Sequence, residues 1–179
     1  MKKVVFITGN QKKADYLSKY LGHQIDHVKL DLDEIQSLDL KEVVRHKMIQ
    51  AYKKVKKPVL VEDVALEFSA FGQLPGTFIR WFLEEMQFEE ICALLEGKDR
   101  GAMARCIFGY FDGKKEYYFE GSLSGRIPEE PAGTGGYGWD PIFIPQGYDV
   151  TRAELSEEDD KVTYLKIKPF DQVREFLVG

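Results

Sequence analysis

The chain has little cysteine, histidine or tryptophan: two, three and two residues among 179. Cys92 lies in a helical pattern and Cys106 in a strand pattern, and neither has the CxxC or Cys/His spacing of a metal site, so both read as reduced packing residues. A surplus of positive charge is missing as well. With 25 Lys and Arg against 30 Asp and Glu, the net charge is −5. Nothing then drives binding along a polyanion, and nucleic acid is not expected as a partner. Long apolar runs are also absent. Lys2 and Lys3 precede only Val4 to Ile7, too short for a signal segment, and no stretch approaches a membrane span, so the expected location is the cytoplasm with no membrane contact. Without repeats, low-complexity stretches or linkers, residues 1–179 read as one domain.

What the chain does have begins at its start. Val4-Val5-Phe6-Ile7 is an apolar strand that breaks at Thr8-Gly9-Asn10, and a Lys-rich helix follows with Ala14, Leu17 and Leu21 on one face. Thr8 and Asn10 offer short side-chain donors, Gly9 lets a ligand approach the backbone, and Lys13 lies within one turn of the positive end of the helix. Such a turn suits an anion. An ordinary strand-to-helix turn with a solvated lysine reads the same way locally.

Farther along, apolar periodicity predicts strands over 3–8, 25–30 and 58–62 and helices over 11–21 and 40–55, an alternation that argues for an α/β fold. Val44, Met48, Ala51 and Val55 make a helical stripe, and Pro58-Val59-Leu60-Val61 is the unalternated run of a strand covered on both faces. Leu74-Pro75-Gly76 reads as a turn leading into a helix through Phe78, Ile79, Trp81 and Phe82, with another helix from Phe88 to Leu95. Strands 102–111 and 116–124 flank a hairpin turn at Asp112-Gly113-Lys114, and Ile142 to Ile144 is a further strand. Pro169 opens a terminal helix with Phe170, Val173, Phe176 and Leu177. The fold expected is one α/β domain of two lobes around a cleft.

The apolar run Val59 to Val61 leads directly into Glu62-Asp63, and ligand sites of α/β sheets lie at the carboxyl ends of strands. Asp31-Leu32-Asp33-Glu34 follows the strand ending near Leu30, which can bring Glu34 to the same rim. Two or three carboxylates there suit Mg²⁺, which takes oxygen ligands and bridges to phosphate. Asp31 and Asp33 read more simply as solvated strand ends. A phosphate turn and a carboxylate metal site on one sheet edge are complementary halves of a nucleotide phosphate site, because the metal offsets the repulsion between acids and phosphates.

Gly133-Thr134-Gly135-Gly136-Tyr137-Gly138 matches the dinucleotide pattern GxGxxG only formally. That pattern needs a strand before it and a helix after it, whereas here Trp139-Asp140-Pro141 and an apolar segment follow. A glycine loop carrying Tyr137, Trp139 and Asp140 suits stacking on a base and hydrogen bonding to it, and it also fits a surface turn with one buried Trp.

Several segments in register resemble the inosine/xanthosine triphosphate pyrophosphatase family. They are Thr8-x-Asn10-x-x-Lys13, Glu62-Asp63 with Leu74-Pro75-Gly76, Ser124-Gly125-Arg126-Ile127, Gly138-Trp139-Asp140-Pro141-Ile142-Phe143, Gly147-Tyr148, and Ala153-Glu154-Leu155-Ser156. Ile79-Arg80-Trp81-Phe82-Leu83-Glu84 looks like the eukaryotic inosine triphosphate enzymes. The resemblance implies an elongated two-lobed α/β domain with a central mixed sheet flanked by helices, and usually a homodimer. It implies Mg²⁺-dependent hydrolysis of non-canonical purine triphosphates such as ITP, dITP and XTP to the monophosphate and pyrophosphate. By the same resemblance Thr8, Gly9, Asn10 and Lys13 bind phosphate, Glu34, Asp63 and Glu62 are the metal and catalytic carboxylates, and Lys47 faces the phosphates. Val64 contacts substrate, and Tyr137, Gly138, Trp139 and Asp140 form the base-binding loop.

The chain departs from the family near its C-terminus. The usual Glu-Lys-Asn followed by Ser-His-Arg is replaced by Glu158-Asp159-Asp160 followed by Thr163-Tyr164-Leu165. In the family the Lys, His and Arg help to grip the purine, so Asp159, Tyr164 and Leu165 remove three cationic donors, with Lys161 or Lys166 as partial substitutes. Three readings follow: a pyrophosphatase with family-like preference, one with relaxed or altered base preference, and a nucleotide-binding module with little turnover. Retention of Thr8, Asn10, Lys13, Glu34, Lys47 and Asp63 argues against the last.

Overall fold

A computed structural model describes residues 2–179. Its sheet has seven strands: β1 (Val5–Ile7), β2 (Asp26–Val28), β3 (Val59–Phe68), β4 (Pro75–Gly76), β5 (Gly101–Phe111), β6 (Glu116–Arg126) and β7 (Ile144–Pro145). The order is β2-β1-β3-β5-β6-β7, with β4 paired to β3 off that path. β1 pairs in parallel with both β2 and β3, whereas β3–β4 and β6–β7 are antiparallel, so the sheet is mixed. Six helices accompany it: α1 (Gln11–Leu21), α2 (Leu40–Val55), α3 (Ile79–Glu85), α4 (Phe88–Ala93), α5 (Glu157–Ile167) and α6 (Phe170–Val178). The mixed α/β class expected from the sequence is thereby borne out. None of the described helices is long and apolar enough to cross a membrane.

The chain divides into two compact units, one of residues 1–63, 106–120 and 169–179, the other of 64–105 and 121–168. In the first unit the sheet is covered on both faces. Phe108 stacks on Phe6 and meets Phe170 of α6, whose ring also touches Tyr16 and Tyr20 of α1, so α1 and α6 share one face. Gly109, the next residue of β5, points the other way, toward α2. A Cβ there would stand 2.5 Å from Val44 Cγ1 and 3.1 Å from Met48 Sδ, so only glycine lets α2 settle this close. Gly109→Ala is therefore expected to destabilise the protein by about 1–3 kcal/mol, the scale of an overpacked core. Guanidinium unfolding checks this, and an unchanged midpoint would mean that α2 shifts freely.

In the second unit Ile79, Ile91, Cys92, Leu95, Ile127, Ile142 and Phe143 are buried. The Arg100 guanidinium donates to Cys92 O and Pro128 O, which ties α4 to the segment after β6. Neither cysteine forms a disulfide and both are buried, and burial pushes the Cys92 thiol up to about 11, so it is a packing group.

Three sequence expectations are corrected here. The strand expected over 58–62 continues to Phe68, because Leu66 and Glu67 pair with Gly76 and Pro75; Glu62 and Asp63 therefore lie within β3. Leu74-Pro75-Gly76 is not only a turn, since Pro75 and Gly76 are that pairing strand. The strand expected at Ile142 to Ile144 is a 3₁₀ turn over Asp140–Ile142, where Pro141 fixes a helical φ and has no N–H to donate, followed by the two residues of β7. Helix α5 carried no prediction. Its apolar residues form no single stripe, and the available signal was the cap, Ser156 accepting from the N–H of Asp159 at the start of a run of four acids.

Candidate active site

The turn after β1 is built from its own side chains. Thr8 N–H donates to Val28 O and keeps the turn tied to β2. Asn10 caps α1: its Oδ1 accepts from Lys13 N at 3.3 Å, and its own N–H donates to Thr8 Oγ1 at 3.1 Å. Both bonds use side-chain oxygens as acceptors, which leaves the Thr8 hydroxyl proton and the Asn10 amide protons as donors. Gly9 is exposed and needs no left-handed backbone. The nearest group to a Cβ there is the flexible side chain of Lys29 at 2.9 Å, so glycine serves to keep the approach open rather than to relieve strain.

Lys13, one turn into α1, reaches Glu62 Oε1 of β3 at 3.2 Å, and the Glu62 side chain is only 5% exposed. Asp63, the next residue, turns to the other side of the strand, as successive strand residues do. There Lys47 Nζ of α2 stands 2.7 Å from Asp63 Oδ2 and 2.9 Å from Glu34 Oε1. Burial works against the charge of Lys47, and the carboxylates of Asp63 and Glu34 more than offset it, so the ammonium titrates above its usual value. Three of the residues singled out in the sequence thus converge on one point. Glu62 does not join them and belongs to Lys13.

Glu34 comes from a loop without regular structure, and α2 holds that loop. Gln50 accepts from Asp33 N at 3.1 Å and donates to Asp33 O at 2.9 Å, while Lys54 donates to Asp31 O. Asp31 and Asp33 themselves are exposed, which fits their reading as solvated acids. The donor chemistry suits a hard divalent cation: two carboxylates already share one positive group, the Lys47 ammonium. Among the described residues no three His, Cys, Asp or Glu side chains form a metal-binding group, so a cation held by Glu34 and Asp63 would need further oxygens from water and substrate.

The glycine loop of the second unit is also built rather than slack. Gly136 adopts φ +77°, and a Cβ on it would collide with the Asp140 carboxylate. That space lets Asp140 Oδ2 accept from Tyr137 N at 2.7 Å. Tyr137 is 75% exposed, and Trp139 is half-buried. Asp140 is 4% exposed, and its other oxygen accepts from Arg152 Nη1 at 2.7 Å. Burial pushes its carboxyl up, while Arg152 and the Tyr137 N–H pull it down. Val64 is half-buried in β3, directly after Asp63.

Arg152 is the residue that pattern reading missed, since an isolated arginine after Thr151 has no periodic signature. Its local signal was Thr151-x-x-Glu154, a capping box realised in the structure.

The fold and its side chains define an α/β protein in which an anion-suited turn precedes a lysine bound to a buried acid, and a second lysine joins two further carboxylates. Residues 4–176 match the Ham1 family, and the chain belongs to that family. It is 45% identical over 162 residues to "Inosine triphosphate pyrophosphatase 2" of Trypanosoma cruzi, covering 88% of this chain and 83% of the relative. "Inosine triphosphate pyrophosphatase" of Yarrowia lipolytica is 38% identical over 180 residues, covering 97% and 95%. Among solved structures, the Ham1 protein of Staphylococcus aureus superposes with a TM-score of 0.83 at 26% identity, covering 99% of each chain. A HAM1 protein from Coxiella burnetii gives 0.86 at 22% identity and 99% coverage of each, a likeness of fold.

Proposed function

We propose that this chain hydrolyses non-canonical purine nucleoside triphosphates such as ITP, dITP and XTP to the monophosphate and pyrophosphate, which clears them from the nucleotide pool. The observation that carries this is the Lys47 ammonium shared by Asp63 and Glu34, one residue along β3 from the Lys13–Glu62 pair. Membership of the Ham1 family and relatives named inosine triphosphate pyrophosphatase support it.

In this reading Thr8, Gly9 and Asn10 hold phosphate oxygens at the start of α1, where unpaired N–H groups and the helix dipole favour an anion. Lys13 and Lys47 offset the charge that gathers on pyrophosphate as it leaves. Water attacks the α-phosphorus, and the bond to the α–β bridging oxygen breaks. Asp63 either accepts the proton of that water or holds the cation, with Glu34 as its companion. Mg²⁺, when bound, supplies Lewis-acid stabilisation of the phosphate oxygens. Glu62 stays with Lys13 and acts on the phosphates through it. Val64 is assigned to substrate contact as the residue following Asp63.

Tyr137 and Trp139 are assigned to stacking on the base, with Gly138 keeping the approach open, and Asp140 to shaping their loop. A homodimer working in the cytoplasm, with residues 1–179 acting as one catalytic domain, completes the proposal. Altered base preference is favoured over the family norm by Asp159, Tyr164 and Leu165, which supply none of the cationic donors expected there.

Incubation of the purified protein with ITP is expected to release pyrophosphate, with turnover abolished by EDTA and restored by Mg²⁺. Stoichiometric orthophosphate in an assay free of other pyrophosphatases would place the cleavage at a different bond. Turnover that persists in EDTA would remove the metal.

A further inference from the structure

Arg152 is 6% exposed, a rare condition for an arginine, and each of its three guanidinium nitrogens donates to a neighbour on one of two other segments of the second unit. Nη1 donates to Asp140 Oδ1 at 2.7 Å, which is the glycine-loop side. Nη2 donates to Asp160 Oδ1 at 2.5 Å and Nε to Thr163 Oγ1 at 3.1 Å, both on α5. The Thr163 hydroxyl passes its own proton to Asp160 O, so the bond from Nε meets an oriented acceptor. The guanidinium also lies 5.8 Å from the ring centre of Tyr164, and the buried Lys168 ammonium stands 6.0 Å from the same ring. Two cations and two carboxylates thus balance one another in this cluster.

The backbone beneath Arg152 is equally fixed. Arg152 N donates to Phe143 O at 2.9 Å, and Thr151 Oγ1 donates to Ala132 O at 2.8 Å. Thr151 N donates to Glu154 Oε2 at 2.9 Å. Gly135 N donates to Ala153 O, so the glycine loop rests on the same short turn. A planar, permanently charged group with a rigid fork of donors holds carboxylates on two elements in one fixed mutual geometry, which the flexible point charge of a lysine does not impose.

We infer that Arg152 is the positioning residue for base selection: through Asp160 and Thr163 it ties the Tyr137–Asp140 loop to α5, the helix that also carries Asp159, Tyr164 and Leu165, so that the two segments meet the base as one unit. This rests on the base-loop reading given above. Arg152 does not touch substrate. It fixes Asp140, Asp140 fixes the Tyr137 N–H, and the backbone from which the exposed Tyr137 ring projects is thereby held in place.

The test is base selectivity in the full-length protein. Arg152→Lys keeps the charge and loses the fork. It is expected to raise KM for ITP and to lower the ITP to GTP ratio of kcat/KM by about tenfold, with kcat for ITP held within about threefold because the phosphate groups are untouched. A merely structural role would lower the unfolding temperature and leave the ratio unmoved. Asp160→Ala removes the charged contact on the α5 side of the bridge, keeps the weaker bond from Nε to Thr163 and leaves Asp140 paired. It should move the ratio in the same direction, and it decides the matter where Arg152→Lys does not fold. An unchanged ratio in the variant that folds overturns the inference. Tyr137→Ala and Trp139→Ala separate it from the reading beneath it. If those two leave selectivity unchanged, the base-loop assignment falls; if they alter it while folded Arg152→Lys does not, only the role of Arg152 falls.

Discussion

Asp63→Asn is expected to lower turnover of ITP by about two orders of magnitude or more, the usual scale for a lost acid–base or electrostatic group. The substitution keeps the shape of the side chain and removes its charge. Lys47 Nζ, at 2.7 Å from Asp63 and 2.9 Å from Glu34, is then left with one anionic partner instead of two. Any cation or water held by Asp63 also loses its ligand or proton acceptor. Lys13→Ala should reach the same scale by a different route, because it strips a positive group from the turn proposed to hold phosphate and leaves the nearly buried Glu62 carboxylate without that partner. Steady-state kinetics on variants with unchanged thermal unfolding check both. Rates close to those of the unaltered protein would remove these residues from the mechanism.

The second large effect is expected on α5. Combining Asp159→Lys, Tyr164→His and Leu165→Arg should raise the ITP to GTP ratio of kcat/KM, by up to about tenfold for each donor restored, since roughly 1.4 kcal/mol corresponds to a factor of ten. The unaltered protein should accordingly discriminate ITP or XTP from ATP and GTP less sharply than its relatives do. Structure adds a qualification to the size of the effect. Asp159 accepts from Tyr148 Oη at 3.0 Å and from Ser156 Oγ at 2.8 Å, so the exchange to Lys forfeits two bonds within α5's first turn and its neighbour. Tyr164 lies between Arg152 and Lys168, and a charged His there would meet two cations. The gain is therefore expected to be largest above the His titration range. If the unaltered protein already rejects GTP sharply, α5 does not set selectivity and the Tyr137 to Asp140 loop does.

Periodicity made the first unit legible. Ala14, Leu17 and Leu21, the residues Val44, Met48 and Ala51 of the α2 stripe, and the unalternated Val59 to Val61 are buried as read, because each helix there buries one continuous face and the strand is covered on both; Val55, at the end of the α2 stripe, is only half-buried. The turn before α1 was legible for a related reason: its cap, its glycine and its lysine are neighbours in sequence. Asp63 and Glu34 were read as strand-end carboxylates of one rim, whereas Lys47 was assigned by resemblance alone, and the convergence of both acids on its ammonium is a product of packing that spacing does not encode. The second unit was harder. Its short 3₁₀ turns and two-residue strands are fixed by proline, by capping side chains and by one buried guanidinium, none of which repeats along the chain. The Glu62-Asp63 boundary failed because acids within a strand look like a strand end unless the pairing of Leu66 and Glu67 is known.

That boundary has a further consequence. Because Glu62 and Asp63 are consecutive residues of β3, they address opposite sides of the strand, one toward the lysine of α1 and the other toward the lysine of α2. The two ion pairs are thus insulated from each other by the thickness of one backbone. Their separation depends on parity rather than on distance. A single residue inserted or removed between Val59 and Val61 would present each acid to the wrong helix while leaving composition almost unchanged. This stretch should therefore tolerate many exchanges of one apolar residue for another, and no change in its count.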